Sequence, residues 1–317
     1  MFSQIFPSLF LRARDGCSYF ASVCQYRCEL LGLNEFSLKK VKVLVQVFWR
    51  VCVQKKKVLF CPEAPKPLFV IYKIFLFLGY RITDNPSHNV HLGMKWLNAF
   101  DGSPFLPEVP IFKKMSQAPS EIRIVNMHCP DVSKRQVSAT FEKVFGYSLS
   151  IDPRLYRGKC VMKSNWNGLH VGKILECPTP IPESEYVYEK LINNETGDGF
   201  VEDIRVPIFR DIIPFVYIKQ RGLDDRLVDR KHTAKRVTLC EVSAYLSAQE
   251  IQKTLEFCEA LGVEYGEIDV LRNRDDGKIY IVDVNTNPAG PPEPISFDDS
   301  KTAIVRLANA FEKTFMH

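Results

Sequence analysis

Two apolar runs towards the end of the chain, GEIDVLRN (266–273) and KIYIVDVN (278–285), are separated by only the four residues RDDG. Runs of this length, rich in Ile and Val and joined through an Asp-Gly turn signal, read as the two strands of a hairpin. So short a connection permits antiparallel pairing alone, because parallel neighbours need a crossover of a dozen residues or more. The constraint reaches the chemistry too. Side chains alternate between faces along a strand, so Ile281, Asp283 and Asn285 share one face while Val282 and Val284 face away. Asp269, on the first strand, can converge with Asp283 and Asn285 across the pair. Two acids and an amide suit a hard cation that takes a few protein oxygens and leaves its other positions open. The plainer reading of the same residues is a strand running out into a solvated turn, since Asn and Pro are ordinary turn residues.

Upstream, KVLFC reads as a strand, LFVIYKIFLFLG as a buried helix closed by Gly79, and YRIT and VHLGMKW as two further strands. Alternating strands and helices imply a small α/β unit with a parallel sheet. The proline-rich stretch 101–120 reads as a loop or domain crossing. A helix follows in SKRQVSATFEKVFG, capped by Ser133 and closed by Gly146. Strands are expected around CVMK, VYEKLI, IRVPIF and FVYIKQ, then a long helix from Ser247 to Leu261 opened by the Ser247/Glu250 capping box. The chain thus divides into a basic apolar segment (1–56), an α/β part (57–120) and a larger part (121–317).

At 317 residues the chain is long enough to bury a sizeable core. Its net charge of +5 sits at one end, since residues 1–56 hold nine Lys/Arg against three acids. The remainder is nearly neutral, and no nucleic-acid partner is expected. A basic apolar segment either packs on its own protein or lies on an anionic membrane surface as a peripheral contact. Its most apolar stretch, VKVLVQVFWRVCV, is interrupted by Lys42, Gln46 and Arg50 and is too short to span a bilayer. Ten cysteines stand singly in apolar stretches with no CxxC pair, as small buried hydrophobes of a reducing compartment do. With no signal-peptide pattern at the N-terminus, a cytoplasmic location is expected.

GKCVMKSNWNGLHVGKI combines a strand ending in Lys163 with a polar, Gly-containing turn through Asn165, Asn167, Gly168 and His170, then Gly172. Such a loop can bring backbone N–H groups over phosphates while the lysine supplies charge. Separately, Lys163 is a solvated strand end and the glycines a hairpin. His88 and His91 read as structural or solvated, because no further His or Cys completes a ligand spacing. Cys129 has no activating base beside it.

The order of these parts resembles the ATP-grasp superfamily over about residues 120–292. The shared parts are a lysine at a helix start, a V-x-K strand with a Gly-containing loop, an EKLI hinge, a DIRV strand, and the ending LGVEYGEIDVL…IVDVNTNP. The preceding α/β part stands where that family has its preceding domain. The resemblance implies an α/β fold, α+β in the ATP-binding part, with ATP and Mg²⁺ as cofactors and Mn²⁺ as a substitute. It places Lys134 and Lys163 on phosphates and 167–172 in a mobile phosphate-covering loop. Glu189, Lys190 and Ile192 would hold adenine through backbone groups and an apolar wall. Asp203, Arg205 and Arg221 would lie near ribose and phosphate, the two arginines as catalytic groups. Asp269, Asp283 and Asn285 would be the metal ligands. Asp283 stands where the family has glutamate, Trp166 and Leu169 add hydrophobic groups to the loop, and the asparagine after the arginine strand has Arg226 and Asp229 as its nearest counterparts.

The implied reaction is that of the glutathione synthetase and D-alanine:D-alanine ligase group. ATP phosphorylates a small-molecule or peptide carboxylate, an amine or thiol attacks, and ADP and phosphate leave. A non-catalytic nucleotide-binding module and a small-molecule kinase are the alternatives. The basic loop residues Arg226, Arg230, Lys231, Lys235 and Arg236 suit either an acidic substrate or a solvated charged loop. Oligomeric state stays open.

Overall fold

A stretch from Gly16 to Gln54 forms two helices, α1 (Gly16–Leu30) and α2 (Leu38–Phe48), the latter continuing as a π-helix over Trp49–Gln54. The computed structural model describes residues 16–33, 35, 37–86, 89–98, 109–116, 122–166, 172–179, 182–227 and 234–316. Val23, Tyr26, Val43, Val47 and Val51 on these helices are buried in the largest core of the chain. The basic segment therefore packs on its own protein through one of its faces.

Strand β1 (Lys57–Pro62), helix α3 (Val70–Leu78), β2 (Arg81–Thr83), β3 (Leu92–Trp96), a short helix α4 (Pro110–Ser116) and β4 (Ile124–Val125) follow. The four strands form a parallel sheet in the order β2-β1-β3-β4. The expected loop stretch 101–120 thus contains about two helical turns, where apolar Phe112 buries against Leu59 and Ile124; residues 101–108 and 117–120 lie outside the described residues.

Helix α5 (Lys134–Phe145) begins at Ser133, whose side chain accepts from Gln136 N, and ends at Gly146. Strands β5 (Gly158–Ser164), β6 (Gly172–Cys177) and β7 (Tyr186–Lys190) make a three-stranded antiparallel sheet. A five-stranded antiparallel sheet, ordered β10-β9-β8-β11-β12, is built from β8 (Phe200–Phe209), β9 (Val216–Gly222), β10 (Ala234–Cys240), β11 (Tyr265–Arg272) and β12 (Ile279–Asn285). Between β10 and β11 runs α6 (Ala248–Leu261), opened by the Ser247/Glu250 capping box. Its cap Gly262 adopts φ +78°, and a Cβ there would stand 2.0 Å from the carbonyl oxygen of His128, so only glycine fits.

Antiparallel sheets can carry one apolar and one polar face. Here Ile204, Val206, Ile218, Ile268, Val270 and Val284 turn one face of the large sheet towards α5 and α6. The other face is left for polar side chains. The last helix, α7 (Phe297–Phe315), returns to the first core beside α1 and α3. Arg50 holds Glu312 through two hydrogen bonds of 2.6 and 2.9 Å, which tie the start of the described chain to its end.

Candidate active site

One rung of the large sheet carries Tyr217, Arg205, Asp269 and Asp283 side by side on β9, β8, β11 and β12. Paired residues share a face, so two acids meet directly across the β11–β12 ladder. Like charges in that position repel unless cations stand between or beside them. Both acids have such a partner. Arg205 donates to both carboxylate oxygens of Asp269, at 2.8 and 3.0 Å, and Lys134 Nζ reaches Asp283 Oδ1 at 2.8 Å.

Electrostatics follow from that arrangement. Burial would push Asp269 up, but Arg205, Lys219 and Arg221 outweigh it and hold the carboxyl well below its usual range. Burial disfavours charge on Lys134, yet Asp283, with Glu189 and Asp269 behind it, raises the pKa and keeps the ammonium charged. Asp203, two residues along β8 from Arg205, accepts from Arg221 and from Asn194. On the small sheet, Lys163 Nζ meets the buried carboxylate of Glu189 at 2.7 Å.

These groups line one cleft between the polar face of the large sheet and the Val161/Lys163/Glu189 face of the small one. Of the residues singled out by the sequence, Lys134, Lys163, Gly172, Glu189, Lys190, Ile192, Asp203, Arg221, Asp269 and Asp283 all line it. Arg205 stands behind Asp269 as its partner. Asn285 lies two rungs further along, opposite Glu267, with its Oδ1 accepting from Asn287 N. Asn167, Gly168 and His170 lie outside the described residues, as do His88, Leu169, Asp229, Arg230 and Lys231.

One expectation needs correcting. Strict alternation put Val282 on the face away from Asp283, but the β11–β12 register shifts between Asp269 and Val270, and Val282 joins Asp283 in the cleft wall. One extra residue in a strand breaks the period of two. In the 189–192 segment, Lys190 N–H donates to Leu149 O and Ile192 O accepts from Arg226. Leu191, between them, adds to the wall. Arg226, one of the two counterparts of the absent asparagine, reaches Asn194 Oδ1 at 2.9 Å as well.

Asn194, Leu191, Leu227 and Glu267 are participants that motif reading passed over. Asn194 sits in a polar turn and carries no distinguishing signal. Glu267 did carry one, since it precedes Asp269 by two residues and must share its face. It is 3% exposed, neither carboxylate oxygen has a hydrogen-bond partner among the described residues, and Arg205 Nε is 3.7 Å away. Cys129 is buried and its thiol pushed up to about 12 by that burial, which removes it as a nucleophile.

No family model matches the sequence, and no curated protein is matched significantly. Solved structures do match. D-Alanine–D-alanine ligase from Bacillus anthracis, solved with ATP, is similar at TM-score 0.51 and 15% identity over 82% of this chain and 96% of that one. The chain has the ATP-grasp fold. The ATP-grasp ligase PsnB with a minimal precursor matches at TM-score 0.43 and 13% identity, over 62% of this chain and 65% of PsnB. A RimK-domain ATP-grasp protein from Sphaerobacter thermophilus matches at TM-score 0.45 and 9% identity, over 82% of this chain and all of that one. In ATP-grasp terms the cleft is the space between the fold's two antiparallel sheets.

Two carboxylates facing across one ladder are of the type a hard divalent cation takes, and the Asp283 side chain is 37% exposed, while Asp269 is held by Arg205 and Asn285 Oδ1 by Asn287 N. Among the described residues no three His, Cys, Asp or Glu side chains cluster as a metal site. No helix among the described residues is long and apolar enough to cross a membrane.

Proposed function

We propose that this chain is an ATP-dependent ligase that activates a carboxylate as an acyl phosphate and joins it to an amine. The observation that carries the reading is the pair of lysines, Lys134 from the helix α5 start and Lys163 from β5, that enter one cleft and pair with acids also lining it. The ligase of the same fold from Bacillus anthracis was solved with ATP, and we carry that nucleotide to this cleft.

In this reading Lys134 and Lys163 exchange Asp283 and Glu189 for phosphate oxygens, and Ile192, Leu191 and Val282 give the base an apolar wall. Asp269, Asp283 and Asn285 hold magnesium, which when bound neutralises charge on the transferring phosphoryl group. Arg221, which lines the cleft, meets the same negative charge from the sheet side, and Arg205 holds Asp269 in place. The γ-phosphoryl group passes to a carboxylate oxygen and ADP leaves. The amine nitrogen then attacks the acyl carbon, the carbon–oxygen bond to phosphate breaks, and phosphate and a proton depart. Little covalent chemistry is asked of the protein, whose part is positioning and charge.

The test is an ADP-release screen of carboxylates against amines with purified protein and magnesium. ADP release that needs both an acid and an amine supports the ligase. A phosphorylated product that forms with no amine present marks a kinase instead.

A further inference from the structure

Helix α2 and the π-helix after it are apolar on two opposite sides. Val43, Val47 and Val51, four residues apart, face inward and are buried. Leu38, Val45, Phe48, Trp49 and Val53 face outward and stay 82%, 63%, 54%, 51% and 55% exposed. At 3.6 residues per turn Leu38, the partly exposed Val41, Val45 and Phe48 fall in one stripe of α2, and Trp49 and Val53, four residues apart on the wider π-helix turn, continue it to a length of roughly 20 Å. Isolated exposed hydrophobes need no explanation, but a contiguous stripe with two aromatics marks an interaction surface.

The charge around the stripe says what covers it. From Ser37 to Pro62 the chain has no acid, while Lys39, Lys40, Lys42, Lys55, Lys56 and Lys57 are basic and Arg50 is paired with Glu312. Lys39, Lys42 and Lys55 are themselves exposed. A second copy of the chain docking through this face would bring lysine against lysine, which costs energy. An anionic partner gains from the same charges. An apolar stripe holding Trp and Phe, rimmed by lysines and laid along a helix, is the arrangement of a helix lying in the plane of a lipid surface.

We infer that the outward face of residues 38–55 docks this protein on an anionic membrane surface, with Phe48, Trp49, Val45 and Val53 entering the acyl boundary and Lys39, Lys42 and Lys55 meeting lipid phosphates. The cleft lies on other elements and is left open to its substrates.

Flotation of the intact chain with phosphatidylcholine vesicles, alone or with one-third phosphatidylglycerol, tests the inference. Binding is expected only to the anionic vesicles and should fall with added salt. The exposed pair F48E/W49E should abolish it; Phe48 also meets Phe20 edge-on, so the single variant W49E, which leaves that contact in place, should weaken flotation while keeping a cooperative melt. Replacing Lys39, Lys42 and Lys55 by Gln should weaken partition about fivefold per lysine. Absence of flotation in the intact chain, or flotation that persists in F48E/W49E, overturns the inference. So does sedimentation showing a dimer that this variant splits, or an acidic protein that binds the stripe while vesicles do not.

Discussion

Asp269 and Asp283 face each other across neighbouring strands, and each is neutralised by a cation from a different element: Arg205 of β8 and Lys134 of α5. The chain thus holds two acids side by side by giving each its own basic partner. Asp283→Asn should leave the fold intact, since its side chain is 37% exposed. Asp269→Asn should lower stability more, because it strips the two-oxygen partner from a buried arginine. Both should cut magnesium-dependent turnover about a hundredfold, the size of losing one charge interaction concentrated in the transition state. A magnesium titration beside melting curves checks this, and near-normal turnover at low magnesium in both variants would remove the metal site.

Lys163 and Glu189 make a buried pair, with the glutamate side chain 2% exposed. Removing one member of such a pair leaves a stranded charge and costs about 3 kcal/mol. Lys163→Ala should therefore destabilise the chain as well as weaken nucleotide binding, and Glu189→Gln in the same chain should restore much of the stability without restoring the binding. Denaturant melts of the single and double variants separate the two effects. Equal stability of Lys163→Ala and wild type would show that the pair contributes nothing.

Glu267 offers a titration with a defined sign. Burial pushes its carboxyl up to about 7, against the pull of Arg205 and with the added push of Asp269. The unfolded carboxyl titrates near about 4.3. Its proton is therefore held more tightly by the folded chain, and stability is lost as pH rises from the unfolded value through about 7. Glu267→Gln has no proton to lose. Whatever its amide costs is the same at every pH, so its stability relative to wild type should improve by about 3 kcal/mol between about pH 4.5 and about pH 8. A pH-independent difference, measured without magnesium, would place the carboxyl in its ordinary range.

The helices of residues 16–54 share a core with α3 and α7, and Arg50 grips Glu312. Deleting residues 1–56 should uncover the apolar faces of α3 and α7 and give insoluble or molten protein. A soluble, cooperatively melting product would show that the remaining core closes without these helices.

Much of this was legible in local signals. Ser133 and Gly146, Ser247 and Gly262, and the Asp-Gly hairpin mark their elements because caps and turns are local chemistry. The cleft lining was legible for the same reason wherever a charged residue interrupts an apolar strand. Strand β6 (GKILEC) was obscured because it lies at an exposed sheet edge, where its Lys and Glu are solvated and no clean alternation survives. Helix α7 carries a cap at Ser296 and apolar residues at 303, 304, 307, 308 and 311, yet no motif extends past Pro288 to draw attention to it. The pairings were beyond reach altogether. Lys134 and Asp283 are 149 positions apart, and only the packing of α5 on the sheet brings them within 2.8 Å. Val282 entered the cleft through a register shift that a period of two does not anticipate.

The central claim, that this cleft binds a metal-bound nucleotide, is tested most directly by the thermal midpoint of the intact chain with and without Mg-ATP. Ligand that binds only the folded state at about a hundred times its dissociation constant adds about 2.7 kcal/mol. For a chain of 317 residues that should appear as a rise of several degrees, absent when magnesium is chelated. An unchanged midpoint at millimolar Mg-ATP would contradict the account.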